Sequence, residues 1–326
     1  MKKVLGMGNA LVDILMQLND DAVLQQLSLP KGSMQLVDEK TANQILKATD
    51  SYEKSIVSGG SASNTIHGLA ALGIETDFIG KTRDDKWGEL YESDMKKRNI
   101  NPILFKGKNE TGRAITFISQ DSERTFATYL GAAIELSSDD LSSELFNGYD
   151  YFHTEGYLVQ NRELIETALK FAKSNNLKTS LDLASFNVVA ENREFLLEMV
   201  EKYVDILFAN EEEAREFTGG LKNEEALDFM GELCEYAILK QGKNGSIIKH
   251  NGKTIKVDIV PAKSIDTTGA GDLYASGFLY GLINSLPVEK CGQIGSLTSA
   301  TVIEVIGPKI SDNKWNEIKD SEKMRF

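Results

Sequence analysis

The segment of this chain best suited to chemistry is Asp266-Thr267-Thr268-Gly269-Ala270-Gly271-Asp272. Its small residues let the backbone turn tightly and approach a ligand closely. Ala275, Phe278, Leu279 and Leu282 follow at helical spacing, so a helix is expected from Ala270 to Ser285. Unpaired N–H groups at a helix start point at one spot, where the helix dipole favours negative charge. A transferring phosphoryl group suits that spot. Asp272 falls in the first turn beside it, where a carboxylate can take a proton from an attacking hydroxyl. The helix start is expected to keep it ionised at neutral pH. The blander reading is a tight turn with Asp272 as a helix cap.

Two further segments carry polar groups at strand-to-helix junctions. Ser58-Gly59-Gly60-Ser61-Ala62-Ser63-Asn64 pairs glycines, which admit a polar ligand against the backbone, with an amide that donates and accepts at once, as a diol requires. By itself it reads equally well as a plain turn. Asn210-Glu211-Glu212-Glu213 follows the apolar run Ile206 to Ala209 and suits Mg²⁺ bound through water; a solvated acidic first turn is the blander account. Gly6-Met7-Gly8-Asn9 opens like a dinucleotide fingerprint, but the third glycine position is Leu11, and no GxxxxGK[ST] loop exists.

The elements that must position these residues follow a regular pattern. Strands are expected at Val4 to Met7, Thr76 to Gly80, Tyr151 to Thr154, Lys178 to Asp182, Ile206 to Ala209 and Ala237 to Lys240. Helices are expected at Ser61 to Leu72, Trp87 to Arg98, Arg162 to Asn175, Glu194 to Lys202 and from Glu211. Such alternation argues for an α/β fold with a mostly parallel central sheet flanked by helices. Two hairpins stand apart, one over Arg113 to Ser119 and Arg124 to Leu130, the other over Ser246 to Val257. The first has no place in such a sheet and, with segments near Leu15 to Val37, is expected to form a small β lid.

Composition sets the outer bounds. The 326 residues carry 36 basic and 49 acidic side chains, a net charge of −13, which gives no bulk reason to bind nucleic acid or an anionic membrane. Cys234 and Cys291 are in no metal spacing and read as reduced thiols, and no apolar run reaches transmembrane length. A cytoplasmic chain is expected.

In this order, the three segments resemble the ribokinase (PfkB) family of carbohydrate and nucleoside kinases. Asp266 to Asp272 is similar to its C-terminal signature, Ser58 to Gly73 to its N-terminal glycine signature, and Asn210 and Glu213 to its NxxE element. Gly80 to Gly88 resembles its GxxGxDxxG segment, with Arg83 in place of the second glycine, and Gln241 to Gly245 its nucleotide-side turn. Gly6 to Ile14 and Tyr203 to Glu211 lean toward the adenosine kinases within the family.

The resemblance implies a ribokinase-like domain over residues 1–326, with its lid drawn from about 13–38 and 100–131, transferring phosphate from ATP with Mg²⁺. It implies that Asp13, Gly59, Gly60 and Asn64 bind the acceptor's ribose hydroxyls, that Asp272 is the base, and that Gly269, Ala270 and Gly271 form the anion hole. Arg124 would contact phosphate. Asn210, Gly242, Gly245 and Thr268 would serve the nucleotide, Asn210 and Glu213 would hold Mg²⁺ through water, and Asp266 with Thr268 would meet a monovalent cation, K⁺. Adenosine and a free sugar of the ribose or fructose type share every catalytic residue; only an apolar slot for a flat base, from Met34, Leu36 and Tyr157, would separate them. An intact Asp272 beside an intact glycine loop argues against a non-catalytic binding protein. The lid edge could also pair with a second copy, giving a homodimer.

Overall fold

The computed structural model describes residues 2–121, 123–321 and 324. Its strands are β1 (Lys3–Met7), β2 (Leu11–Gln17), β3 (Met34–Leu36), β4 (Ser55–Gly59), β5 (Glu75–Thr82), β6 (Ile100–Lys106), β7 (Thr111–Ile118), β8 (Arg124–Gly131), β9 (Tyr151–Glu155), β10 (Lys178–Asp182), β11 (Ile206–Asn210), β12 (Tyr236–Lys240), β13 (Ser246–His250) and β14 (Lys253–Val257). Its helices are α1 (Ala22–Gln26), α2 (Glu39–Ala48), α3 (Ser61–Ala71), α4 (Lys86–Lys97), α5 (Arg162–Ser174), α6 (Phe186–Tyr203), α7 (Glu211–Thr218), α8 (Asn223–Leu233), α9 (Ala270–Ile283), α10 (Val288–Val302) and α11 (Asp312–Asp320).

Nine strands form the large sheet in the order β14-β13-β12-β11-β10-β9-β1-β5-β6. All its neighbours are parallel except β12–β13 and β13–β14, the latter being the expected edge hairpin. Alternation along the strands feeds two cores. Val4, Phe78, Ile206, Phe208 and Ile238 face α3 and α9, while Leu5, Ile79, Leu207, Ala209 and Leu239 face α5 to α8. Full burial of each such Leu or Phe contributes about 2 kcal/mol. Phe208 meets Phe278 of α9 edge to face, with ring centroids 5.6 Å apart.

The chain order reverses at β1, with β5 and β6 on one side and β9 on the other. In such sheets the crevice at the strands' C-terminal ends, beside the reversal, is where ligands bind. The chain leaves the large sheet twice, after β1 and after β6, and the two excursions build a second sheet in the order β3-β8-β7-β2-β4.

The small sheet differs from expectation at its borders. Ile100–Lys106 does not belong to it; that segment pairs in parallel with β5 at the edge of the large sheet, where Pro102 is tolerated. β4 joins instead, antiparallel to β2. Helix α6 begins at Phe186 rather than Glu194, and its backbone departs from helical geometry at Asn192. Gly6 and Gly8 serve packing: a Cβ at Gly6 would strike Ile66 of α3, and one at Gly8 would strike Ala62 and Glu155.

Candidate active site

The C-terminal ends of β1, β9, β10, β11 and β12, the start of α3 and the start of α9 converge. Helix α9 is capped by Gly269, whose φ of 77° requires glycine, and whose Cα lies against Pro308. The N–H of Ala270 closes a turn onto the Thr267 carbonyl (3.2 Å). The amides of Gly269, Gly271 and Asp272 have no hydrogen-bond partner among the described residues, so the free donors are those three and not Ala270.

Asp272 lies in the first turn of α9 and is half-buried. Its Oδ1 accepts from Ser61 Oγ (2.7 Å) and its Oδ2 from Asn64 Nδ2 (2.9 Å), both on the first turn of α3. Thr65 Oγ1 donates to its main-chain carbonyl (3.1 Å). Burial pushes the carboxyl up to about 6, against the two hydrogen bonds, which pull it down. At about 6 the carboxyl is still mostly ionised at neutral pH, and desolvation is the largest influence on it.

Asp13 reaches the same place from β2. Burial lifts it to about 7, opposed by the Lys309 charge and reinforced by Asp272 and Asp266. Gly59 is paired with Leu11 in β4, and a methyl there would overlap the Asp13 carboxyl. Gly60, at φ 95°, turns the chain into α3 so closely over Asn9 that any Cβ would strike the Asn9 carbonyl. Asp13, which stands apart in sequence, is thus joined to the Ser58 to Asn64 segment that carries Gly59, Gly60 and Asn64.

Arg124, at the start of β8, also arrives. Its Nη1 donates to Thr268 Oγ1 (3.1 Å) and its Nε lies 4.0 Å from Asp266 Oδ1. Asp266 is fully buried; Oδ1 accepts from the Thr268 N–H (2.9 Å) and Oγ1 (2.7 Å), and Oδ2 from the Gly307 N–H (2.8 Å). Asp266 Oδ1 and Thr268 Oγ1 are thus taken up by one another and by Arg124, while Asp266 Oδ2 accepts a single hydrogen bond and keeps a lone pair. Among the described residues no group of three or more His, Cys, Asp and Glu side chains is placed to hold a metal.

Asn210 and Glu213 cap α7 reciprocally. Asn210 Oδ1 accepts from the Glu212 and Glu213 N–H groups, while the Asn210 N–H (2.8 Å) and Nδ2 (2.7 Å) donate to the two Glu213 oxygens. Burial lifts Glu213 to about 7, with Lys240 opposing. Each Glu213 oxygen keeps a lone pair, so the pair fits a contact through water to the Mg²⁺ of a bound nucleotide. Gly242 and Gly245 form a turn closed on itself past β12, with Gln241 N–H on the Gly245 carbonyl (2.8 Å). Among the described residues no hydrogen bond joins that turn to the Asp272 cluster.

Four participants were not foreseen. Lys240, the last residue of β12, donates to Asp182 Oδ2 (2.7 Å) and lies 3.1 Å from where a Gly271 Cβ would be. Burial alone would lower its pKa, but Asp182 and Glu213 hold it above the ordinary lysine value. Glu155, at the end of β9, accepts from Asn9 and from the Ala62 N–H (2.7 Å), tying α3 to β1. Burial lifts it to about 7. Ser61 is the partner of Asp272 described above. Lys240, Asp182 and Glu155 are each a single residue of ordinary type at a strand's end, without a motif to mark it, while Ser61 stands inside the Ser58 to Asn64 segment without a role of its own there.

A ribokinase-like α/β fold with a carboxylate at a free-amide helix mouth defines a phosphotransferase that acts on alcohols. The pfkB family carbohydrate kinase model matches residues 35–315, and the chain belongs to that family. A nucleoside kinase of Methanocaldococcus jannaschii is 30% identical over 82% of this chain and 86% of its own. A 5-dehydro-2-deoxygluconokinase of Geobacillus kaustophilus is 28% identical over 80% and 84%. The crystal structure of adenosine kinase from Sinorhizobium meliloti superposes with a TM-score of 0.87 at 31% identity, covering 97% of this chain and 98% of that one. The family implies ATP and, typically, Mg²⁺. Among the described residues no helix is long and apolar enough to cross a membrane.

Proposed function

We propose that this chain transfers the γ-phosphate of MgATP to a primary hydroxyl of a ribose-containing acceptor, adenosine first. The observation that carries the reading is Asp272: its carboxylate is aimed by Ser61 and Asn64 on one side and stands beside the free amides of Gly269 and Gly271 on the other. The acceptor lies on Asp13, Gly59, Gly60 and Asn64. Its hydroxyl oxygen bonds to the γ-phosphorus as the bond to the bridging oxygen of ADP breaks, and the hydroxyl proton passes to Asp272. The free amides, Lys240 and Arg124 take up the charge on the migrating group. Asn210 and Glu213 face the nucleotide's Mg²⁺ through water. The small sheet acts as the lid that excludes water.

A flat base finds apolar surface on β3, where Met34 and Leu36 are exposed on one face and Met34 pairs with Phe126, two residues along β8 from Arg124. The second reading, a sugar acceptor, is favoured by the likeness to a 5-dehydro-2-deoxygluconokinase. The unpaired thiols of Cys234 and Cys291 support a cytoplasmic location as part of the same proposal. The test is an ATP-consumption screen over adenosine, other nucleosides, ribose, fructose and related sugars. Adenosine is expected to give the highest kcat/KM; a sugar doing so selects the second reading, and no acceptor-dependent ATP loss defeats both. Light scattering tests pairing of two copies through the small sheet.

A further inference from the structure

At the C-terminal edge of the large sheet an ion pair spans a strand. Lys240 ends β12 and Asp182 ends β10, with β11 between them, and the Lys240 ammonium reaches over the end of β11 to donate to Asp182 Oδ2 (2.7 Å). Both side chains are largely buried, at 15% and 6% exposure. Desolvating two charges is costly, and one hydrogen bond between them repays it poorly. The carboxylate is locked on its other side. Its Oδ1 accepts from the Ala184 N–H (3.0 Å), in a turn where Ala184 takes a φ of 67° and its carbonyl accepts from Tyr157 Oη (3.3 Å). The ammonium is less complete. Of its three donors, one is used among the described residues, so the charge is matched while two N–H groups are left over.

Those two donors lie at the α9 mouth. Lys240 Nζ is 3.1 Å from where a Cβ on Gly271 would be. Gly271 is in the first turn of α9 and outside the left-handed region, so its backbone does not call for glycine; the missing methyl leaves the ammonium room beside the free Gly271 amide. A lysine stem is flexible, and holding its ammonium in one place costs entropy. Among the described residues, Asp182 is the hydrogen-bond partner that fixes it here.

We propose that Asp182 is a positioning residue for phosphoryl transfer, which holds the Lys240 ammonium at the α9 mouth so that its two remaining N–H groups meet the migrating group. The inference rests on the proposed phosphoryl transfer and deepens it. A cation already in place needs no reorganisation when charge develops on that group. The titratable groups that face Lys240 are Asp182 from β10, Glu213 from α7, Asp272 from α9 and His153 from β9. Burial pulls the lysine down, and Asp182 leads the carboxylates that raise it. Without the Asp182 charge, Lys240 therefore loses its proton at lower pH.

The test is steady-state kinetics of the full chain with MgATP and its best acceptor, across pH, in Asp182→Asn, Lys240→Met and the double variant. Lys240→Met is expected to lower kcat about 10²-fold. Asp182→Asn, which keeps the shape and loses the charge, lowers kcat about tenfold with acceptor KM in place, as loss of an interaction made in the transition state requires. Its kcat also falls on the alkaline side at lower pH than that of the wild type, so its deficit widens as pH rises. In the Lys240→Met background the same change costs less than a further factor of about two. Additive losses in the double variant, a deficit that does not change with pH, or a raised acceptor KM with kcat intact overturns the proposal. Should Asp182→Asn not fold by circular dichroism, Asp182→Ser, whose hydroxyl can still accept from the Ala184 N–H, takes its place under the same criteria. A wild-type chain with no acceptor-dependent turnover defeats the functional reading and this inference with it; an active wild type with a silent Asp182→Asn defeats this inference alone.

Discussion

The two halves of the site treat their charges in opposite ways. On the β11–β12 side the polar groups answer one another: Lys240 is bound to Asp182, and Glu213 is bound by Asn210. On the β2–α3 side three are left over: among the described residues Asp13 and Lys309 have no hydrogen bond, and Asn64 Oδ1 is buried without a donor. A polar group left unsatisfied inside a protein costs stability. The half that carries this cost is the one that would receive a neutral, many-hydroxyl acceptor, which can donate and accept. The half that completes its own pairs would face a nucleotide that arrives with its own charge and metal.

Breaking the junction between the halves should have the largest effect. Asp272→Asn keeps a side chain of the same shape but cannot take a proton, and is expected to lower kcat about 10³-fold while ATP still binds by calorimetry; near-normal turnover would remove Asp272 as the base. Gly59→Ala sharpens the comparison from the unsatisfied side. Its methyl displaces the Asp13 carboxyl, so acceptor kcat/KM should fall about 10²-fold with the KM for ATP little changed. Equal loss for both substrates would show that the halves are not separate. Arg124→Ala should lower kcat about tenfold, less than loss of a buried donor because Arg124 is partly solvated, with a smaller change in acceptor KM. Unchanged kinetics would leave Arg124 a brace for Thr268 only. The mildest effect is that of acid. Carboxyls lifted to about 6 and about 7 protonate as pH falls through those values, so kcat should halve near pH 6 and acceptor kcat/KM near pH 7. Profiles flat down to pH 5 would contradict the ionisation assigned to Asp272 and Asp13.

The alternating architecture and the α9 loop were legible because both are written locally, as periodicity and as a run of small residues. The strand order was not, since parallel pairing joins segments far apart in the chain. Ile100–Lys106 carries Pro102 and is half-buried, and nothing in its pattern separates an edge strand of the large sheet from a strand of the lid. The burial of Asp272 was hidden for a related reason: the helix start is visible in sequence, but the packing that desolvates the carboxyl is not. Lys240 and Lys309 could be found only in three dimensions, where one meets Asp182 from the next strand but one and the other is buried with no hydrogen-bond partner among the described residues.

The two excursions that build the small sheet both depart from and return to the large sheet, and the strand order of the large sheet is complete without them. On the proposed placement of the acceptor, insertions, shortened hairpins or new edge residues in those excursions would remodel what it meets while the seven parallel strands and the α9 mouth stay as they are. A lineage of such enzymes has an open route to changing its taste in acceptors without relearning how to fold or how to move a phosphate.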